Sequence, residues 1–226
     1  MNSSNFSVMN LFFERVYCIL PKIIKIFIPK HISMRKFCLY DFLPSGNCYK
    51  VRLLLKQIGI PFERVEMNIL KGETRTQDFL GKNPVGKISL LEINSEQYLS
   101  ESNTILIYLS EGTEFLSYDP YVRARVMQWL FFKQLSHKPF IAKSQYLISI
   151  LRKPEEYHQL IEKIKEPGYK ALTIMENHLK ITYLKITYFL WMRVILLLIL
   201  VCSLTPIIWL IKVDSVYTNS LKFKLG

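Results

Sequence analysis

The stretch "LYDFLPSGNCYKVRLLLKQIG", residues 39–59, decides the fold. Its opening closes a β-rich run, "KFCLYDF" (36–42), in which Phe37 and Leu39 alternate as in a strand with one buried face. "LPSGN" is turn chemistry, with proline, glycine and short polar side chains together. Val51, Leu54, Leu55 and Ile58 then recur at helical spacing, and Gly59 closes the helix as a C-terminal cap. The helix over 48–59 thus opens directly behind a turn that carries Ser45 and Asn47. A helix N-terminus favours an anion, and both side chains are hydrogen-bond donors.

Working outward, "FERVEMNI" (62–69) reads as a second strand, and "KGETRTQDFLGKNP" as a polar segment with a short helix near Thr76–Leu80. "GKISLLEI" (86–93) is a third strand, "EQYLS" a fourth, and "ESNTILIYLSEGT" a helix opened by a polar cap. The order is βαβ, a short α, then ββα. From Asp119 the pattern turns helical, with Asp119 as cap and Pro120 at the first helical position. "DPYVRARVMQWLFFKQLSHKPFIAKSQYLISI" is expected as one long helix bent at Pro139. Residues 153–180 are expected as another, broken at Pro167–Gly168. The fold class is therefore α/β plus all-α, with an α/β domain over 34–115 and a helical one over 119–180.

Composition narrows the function classes. The chain has 226 residues, half of them hydrophobic, which is ample for a packed core. Of its net charge of +12, residues 1–33 hold +3 and residues 181–226 hold +4, and the remaining +5 is spread between them without a run or stripe, whereas a nucleic-acid footprint clusters, so nucleic acid is not an expected partner. Cys18, Cys38, Cys48 and Cys202 include no CxxC pair, which fits a reducing, cytoplasmic setting. The histidines at 31, 137, 158 and 178 form no HxxxH or HxxE pattern, so no metal site is expected.

Both ends of the chain depart from this pattern. Residues 1–33 form an apolar, basic extension interrupted by Pro21 and Pro29. It reads as a start codon placed too early, with Met34 as the true start, or as an amphipathic surface anchor. Residues 194–211, "VILLLILVCSLTPIIWLI", are uncharged and flanked by Arg193 and Lys212, the pattern of a membrane span. Pro206 lies inside that run, and nothing upstream anticipates a membrane.

The strand, turn and helix at 39–59, together with "LSESNTILIYLSEGT" and "RARVMQWLFFKQLSHKPFIA" in this order and spacing, resemble the glutathione transferase family over about residues 36–180. The similarity is greatest to bacterial-type members that use a hydroxyl rather than a tyrosine at the sulfur. It implies a thioredoxin-like N-terminal domain, a helical C-terminal domain, glutathione as co-substrate, a small electrophile as second substrate, and a homodimer. It also implies site roles. Ser45 would donate to the glutathione sulfur and Asn47 would add a second bond. Glu101 would take the α-ammonium, and Ser102 with the helix-terminal amides the α-carboxylate. The Ile88 backbone would pair with the cysteinyl unit, and Lys87 would meet the glycyl carboxylate.

Plainer readings stand beside these. Ser45 and Ser102 are also ordinary N-caps, Glu101 a solvated turn charge and Lys87 a solvated loop lysine. Cys48 reads as a small core residue, and its partner position in a redox CxxC is already serine. Trp129, Phe132, Phe140 and Tyr146 are candidates for a second-substrate wall, but aromatics at helical spacing are more often core, and none is assigned.

Two departures from the family bear on activity. Relatives carry a cis proline where Ser89 stands, and a non-proline cis bond costs ~2.5–4 kcal/mol, so Ser89 is expected trans with a shifted pairing edge. Either the protein has drifted to a non-binding form or the substitution is tolerated. The resemblance also stops near Lys180. A gained or lost nucleotide near codon 181 makes the printed tail compatible with "YSIADISLFAYTH", the continuation relatives show. Residues 181–226 are accordingly expected to be an aberrant, out-of-frame tail, with a tail anchor as the alternative. The functional expectation is a glutathione transferase or a decayed copy of one, with a non-catalytic glutathione-binding or stress-response protein as the rival.

Overall fold

The computed structural model describes residues 29–184. Residues 1–28, and the expected out-of-frame tail (181–226) from residue 185 on, with its apolar run at 194–211, lie outside them. A single helical turn, α1 (Lys30–Ser33), leads into β1 (Phe37–Asp41), α2 (Gly46–Gln57) and β2 (Glu63–Glu66). Two 3-10 turns and α3 (Gln77–Lys82) follow, then β3 (Leu90–Ile93), β4 (Gln97–Ser100) and α4 (Ser102–Ser110). The four strands form one sheet in the order β2-β1-β3-β4. β1 runs parallel to β2 and antiparallel to β3, which pairs antiparallel with β4.

Alternation along β1 sorts its side chains to the two faces of the sheet. Phe37 and Leu39 join Leu91 and Ile93 of β3 on one face. Val51, Leu54, Leu55 and Ile58 of α2 and Ile105, Leu106 and Leu109 of α4 pack over them. Ile32 of α1 is buried in the same core. The opposite face carries Leu90 and Tyr40 and is covered by Met67, Phe79 of α3 and Ile88. Helices on both faces of a four-stranded mixed sheet give the thioredoxin-like architecture. Fully burying each of these aliphatic side chains contributes roughly 1.5–3 kcal/mol. Asp41, wholly buried at the end of β1, pairs with Arg52 of α2, and Arg64 of β2 reaches its other oxygen at 3.4 Å.

Three elements are shorter than the sequence pattern suggests, for reasons in the side chains. β2 ends at Glu66 because Asn68 Oδ1 accepts from the Leu70 and Lys71 N–H groups and starts a 3-10 turn. β3 begins only at Leu90, because Asn83 holds residues 83–87 as a loop: its Nδ2 donates to Lys87 O (2.6 Å) and its Oδ1 accepts from Val85 N (3.2 Å). Gly86 turns this loop at φ +63°. The Ile88–Ser89 peptide bond is cis, which corrects the expectation of a trans bond. The second helical block begins at His158 rather than 153, after Arg152 at φ +55° and a turn closed by the Lys153–Glu156 ion pair.

The helical part opens with α5 (Pro120–Phe132), capped by Asp119, whose carboxylate accepts from Val122 N at 2.8 Å. The chain stays helical to Ile150. However, it passes through a π-helical segment (Lys133–Ala142), α6 (Lys143–Gln145) and a second π-helical turn (Tyr146–Ile150). The expected bend at Pro139 is thus absorbed as widened turns around a residue that has no N–H to donate. α7 (His158–Leu184) runs through Pro167 without the expected break. At Gly168 a Cβ would come within 2.9 Å of Ile141 Cδ1, so the glycine lets α7 lie directly on the π segment, and that packing holds the helix through the proline. Leu116, Val126, Trp129, Leu130 and Met175 form the core there. Among the described residues no helix is long and apolar enough to cross a membrane.

Candidate active site

The N-terminus of α2 is the centre of the site. Ser45, half-buried and extended at φ −76°, accepts from the Cys48 N–H at 3.4 Å. The capping role foreseen as the plainer reading is therefore present. The cap uses an oxygen lone pair and not the hydroxyl proton, for which the adjacent Cys48 thiol is one acceptor. Cys48 points into the core with no exposure, and burial pushes its thiol up to about 11. It is a neutral packing residue at physiological pH. The Ser89 and Ser45 hydroxyls both lie beside this thiol and favour its ionised form, but burial outweighs them. Ser89 Oγ itself makes no hydrogen bond of standard geometry among the described residues. Through Cys48, the Ile88–Ser89 bond is brought against the mouth of α2.

Asn47 sits in the first turn of α2, half-buried, and its Oδ1 accepts from Lys133 Nζ at 2.5 Å. Lys133 opens the π segment and is 2% exposed. A second pair of the same kind lies beside it. Lys50, wholly buried one turn further along α2, donates to Asn103 Oδ1 on α4, while Asn103 Nδ2 donates to Leu130 O of α5 at 3.1 Å. These bonds fasten α2, α4 and the helical block together behind the site. His137, on the same π segment and 1% exposed, lies near both lysines. Burial, then the Lys133 and Lys50 charges, pull its pKa down to about 3. It is neutral at physiological pH, and neither ring nitrogen has a hydrogen-bond partner among the described residues.

The remaining expected residues lie on two adjoining loops. Glu101 precedes α4 at φ +65° and ψ 110°, a left-handed conformation that costs a non-glycine residue energy and is concentrated at functional sites. Its side chain is exposed and makes no cap bond. Ser102, 8% exposed, is the first residue of α4 rather than its cap, so its position corrects the plainer N-cap reading. Ile88 packs by its side chain on the Met67, Phe79 and Leu90 cluster. Lys87 is exposed, and its carbonyl is engaged by Asn83. The Lys50–Asn103 bond joins the α2 turn with Ser45 and Asn47 to the α4 start with Glu101 and Ser102.

Sequence reasoning missed Lys50, Lys133, Asn103 and His137. Lysines read as solvated by default, and only the unbroken core positions Val51 and Leu54 around Lys50 hinted otherwise. Of the four aromatics considered for a second-substrate wall, Trp129 is core and stacks edge-on with Phe132, while Tyr146 is 36% exposed.

Residues 35–111 match the family described as "Glutathione S-transferase, N-terminal domain". A zeta-class glutathione S-transferase from Euphorbia esula is 40% identical over 76 residues, covering 34% of this chain and 33% of that protein. A glutathione S-transferase structure from Pseudomonas fluorescens superposes with a TM-score of 0.62 at 43% identity, covering 64% of this chain and 72% of that one. A glutathione transferase from Pseudomonas putida, solved with one glutathione disulfide bound per subunit, gives a TM-score of 0.56 at 25% identity over 67% of each chain. The chain spans between a third and a half of the curated relatives it matches, from 33% to 52% of their lengths.

Proposed function

The chain belongs to the glutathione S-transferase family, and on that premise we propose that it binds glutathione and joins it, through its thiolate sulfur, to a small electrophile. The observation that carries this reading is the half-buried Ser45 hydroxyl at the mouth of a twelve-residue helix, whose cap bond uses an oxygen lone pair rather than its proton. Glutathione attacks as its thiolate, and a free thiol with pKa near ~8.5 is only a few per cent ionised at neutral pH. A donor hydroxyl, the Asn47 amide and the positive end of α2 all favour the ionised sulfur. The thiolate then forms the carbon–sulfur bond while the electrophile releases its leaving group or takes up a proton.

In this reading Glu101 and Ser102 hold the γ-glutamyl end, the Ile88 backbone pairs with the cysteinyl unit, and Lys87 meets the glycyl carboxylate. The donor set fits the ligand: an acidic side chain for the ammonium, a helix start for the carboxylate, and donors for the sulfur. A homodimer in the cytoplasm, with no resident metal, completes the proposal. The rival, a glutathione-binding protein without transfer activity, rests on Ser89 in place of proline.

Calorimetry with glutathione and a conjugation assay with a nitro-activated aryl chloride separate the outcomes. The proposal expects binding together with enzymatic conjugation that falls at least about tenfold in Ser45→Ala. Binding without conjugation favours the rival, and no binding refutes both.

A further inference from the structure

We propose that Lys133, contributed by the helical block, is a positioning residue for the sulfur site: it fixes which end of the Asn47 amide faces the glutathione sulfur. This rests on the glutathione reading above. A lysine ammonium has three donors and no acceptor, whereas an asparagine amide presents a carbonyl on one branch and an NH2 on the other. The 2.5 Å contact from Lys133 Nζ to Asn47 therefore admits only Oδ1 toward the lysine. A flipped amide would set two donors against each other at a lysine that is 2% exposed. Nδ2 is then the branch that the ammonium does not engage, in the first turn of α2 and two residues from the half-buried Ser45.

The orientation decides the chemistry. Nδ2 toward the sulfur donates to a thiolate and favours it, whereas Oδ1 would repel it. The ammonium behind the amide also polarises it, so the N–H is a stronger donor. The neighbouring Lys50–Asn103 pair uses the same inventory for a different end: Asn103 has its carbonyl on Lys50 and its NH2 on Leu130 O, so both branches are spent on holding helices. That pair is an internal control, equally buried and at the same junction, but with no branch left for a ligand. His137, on the same segment, feels the charges of both Lys133 and Lys50 and is neutral throughout the working range.

The test uses the full chain saturated with glutathione. Thiolate absorbance is followed against pH, and calorimetry with S-methylglutathione, which has no ionisable thiol, reports binding alone. Lys133→Met is expected to raise the sulfur midpoint by about one pH unit, about a tenfold loss of thiolate at neutral pH, with S-methylglutathione affinity within about threefold of the parent. Lys133→Arg, which keeps donor and charge, restores the midpoint to within about twofold in thiolate fraction. Lys50→Met shifts it by less than a third as much as Lys133→Met. If Lys133→Met does not fold, Lys133→Gln against Lys133→Arg decides. Gln raises the midpoint and Arg does not if the inference holds, and equal midpoints overturn it. An unshifted midpoint in Lys133→Met with binding retained, or an equal shift in Lys50→Met, overturns the inference and leaves the glutathione reading standing. A parent protein that binds no S-methylglutathione refutes the glutathione reading itself, and this inference falls with it.

Discussion

Acid should unfold this protein early, and His137 should be a main cause. Unfolded, its imidazole protonates near the ordinary value of ~6.5. Folded, burial and then the Lys133 and Lys50 charges hold it at about 3. Between those values the unfolded chain carries the extra proton. Stability is therefore complete above ~6.5 and is lost as the pH falls toward the folded value. The slope is about 1.4 kcal/mol per pH unit within the window, which gives a loss of about 2 kcal/mol between pH 7 and pH 5. Against a total of roughly 5–15 kcal/mol for a native protein, that is a large fraction. Urea denaturation at pH 7, 6 and 5, followed by circular dichroism, measures it. His178, whose pKa burial and Arg125 lower, and Glu114, whose pKa burial raises, also titrate in acid. The useful quantity is therefore the difference between the parent and His137→Leu. That variant should lose about 2 kcal/mol less over the same interval. At pH 7 it should be at least as stable, because two unpartnered buried nitrogens are gone. Identical pH dependence in parent and variant would refute the reasoning.

Asp41→Ala should cost about 3–5 kcal/mol in denaturant unfolding, because it strands Arg52 beside a fully buried site. A loss under about 1 kcal/mol would show that the pair adds little. Glu101→Gly should raise stability by about 1 kcal/mol, since glycine accepts φ +65° without strain, while glutathione affinity measured by calorimetry falls at least about tenfold. A variant that gains stability and keeps its affinity removes Glu101 from the binding site. Leu54→Ala, at a position with no exposure in the first core, should lower stability by about 2–5 kcal/mol in the same denaturation assay.

Local signals made much of this fold legible. The β1–turn–α2 unit followed from Phe37 and Leu39 alternating, from the "PSGN" turn and from Val51, Leu54, Leu55 and Ile58 at helical spacing. Asp119 and Pro120 marked the start of α5 correctly for the same reason: capping is a contact within one turn. The overextended strands failed where an asparagine side chain, Asn68 or Asn83, competed with the ladder for backbone groups, which periodicity does not register. Pro167 was read as a breaker because propensity is local, whereas Gly168 against Ile141 is a tertiary contact. The site divides along the same line. Ser45 and Ser102 were visible from their places at helix starts. The Lys133–Asn47 bond joins residues 86 apart in the chain, and no local pattern announces it.

The claim underneath all of this is that the mouth of α2 keeps a bound sulfur ionised. The most direct measurement is the thiolate absorbance of glutathione bound to the parent chain, followed from pH 5 to pH 10. The account predicts a midpoint at least about one unit below that of glutathione in the same buffer, rising toward it in Ser45→Ala. A bound midpoint equal to the free one, unchanged in the variant, would contradict it.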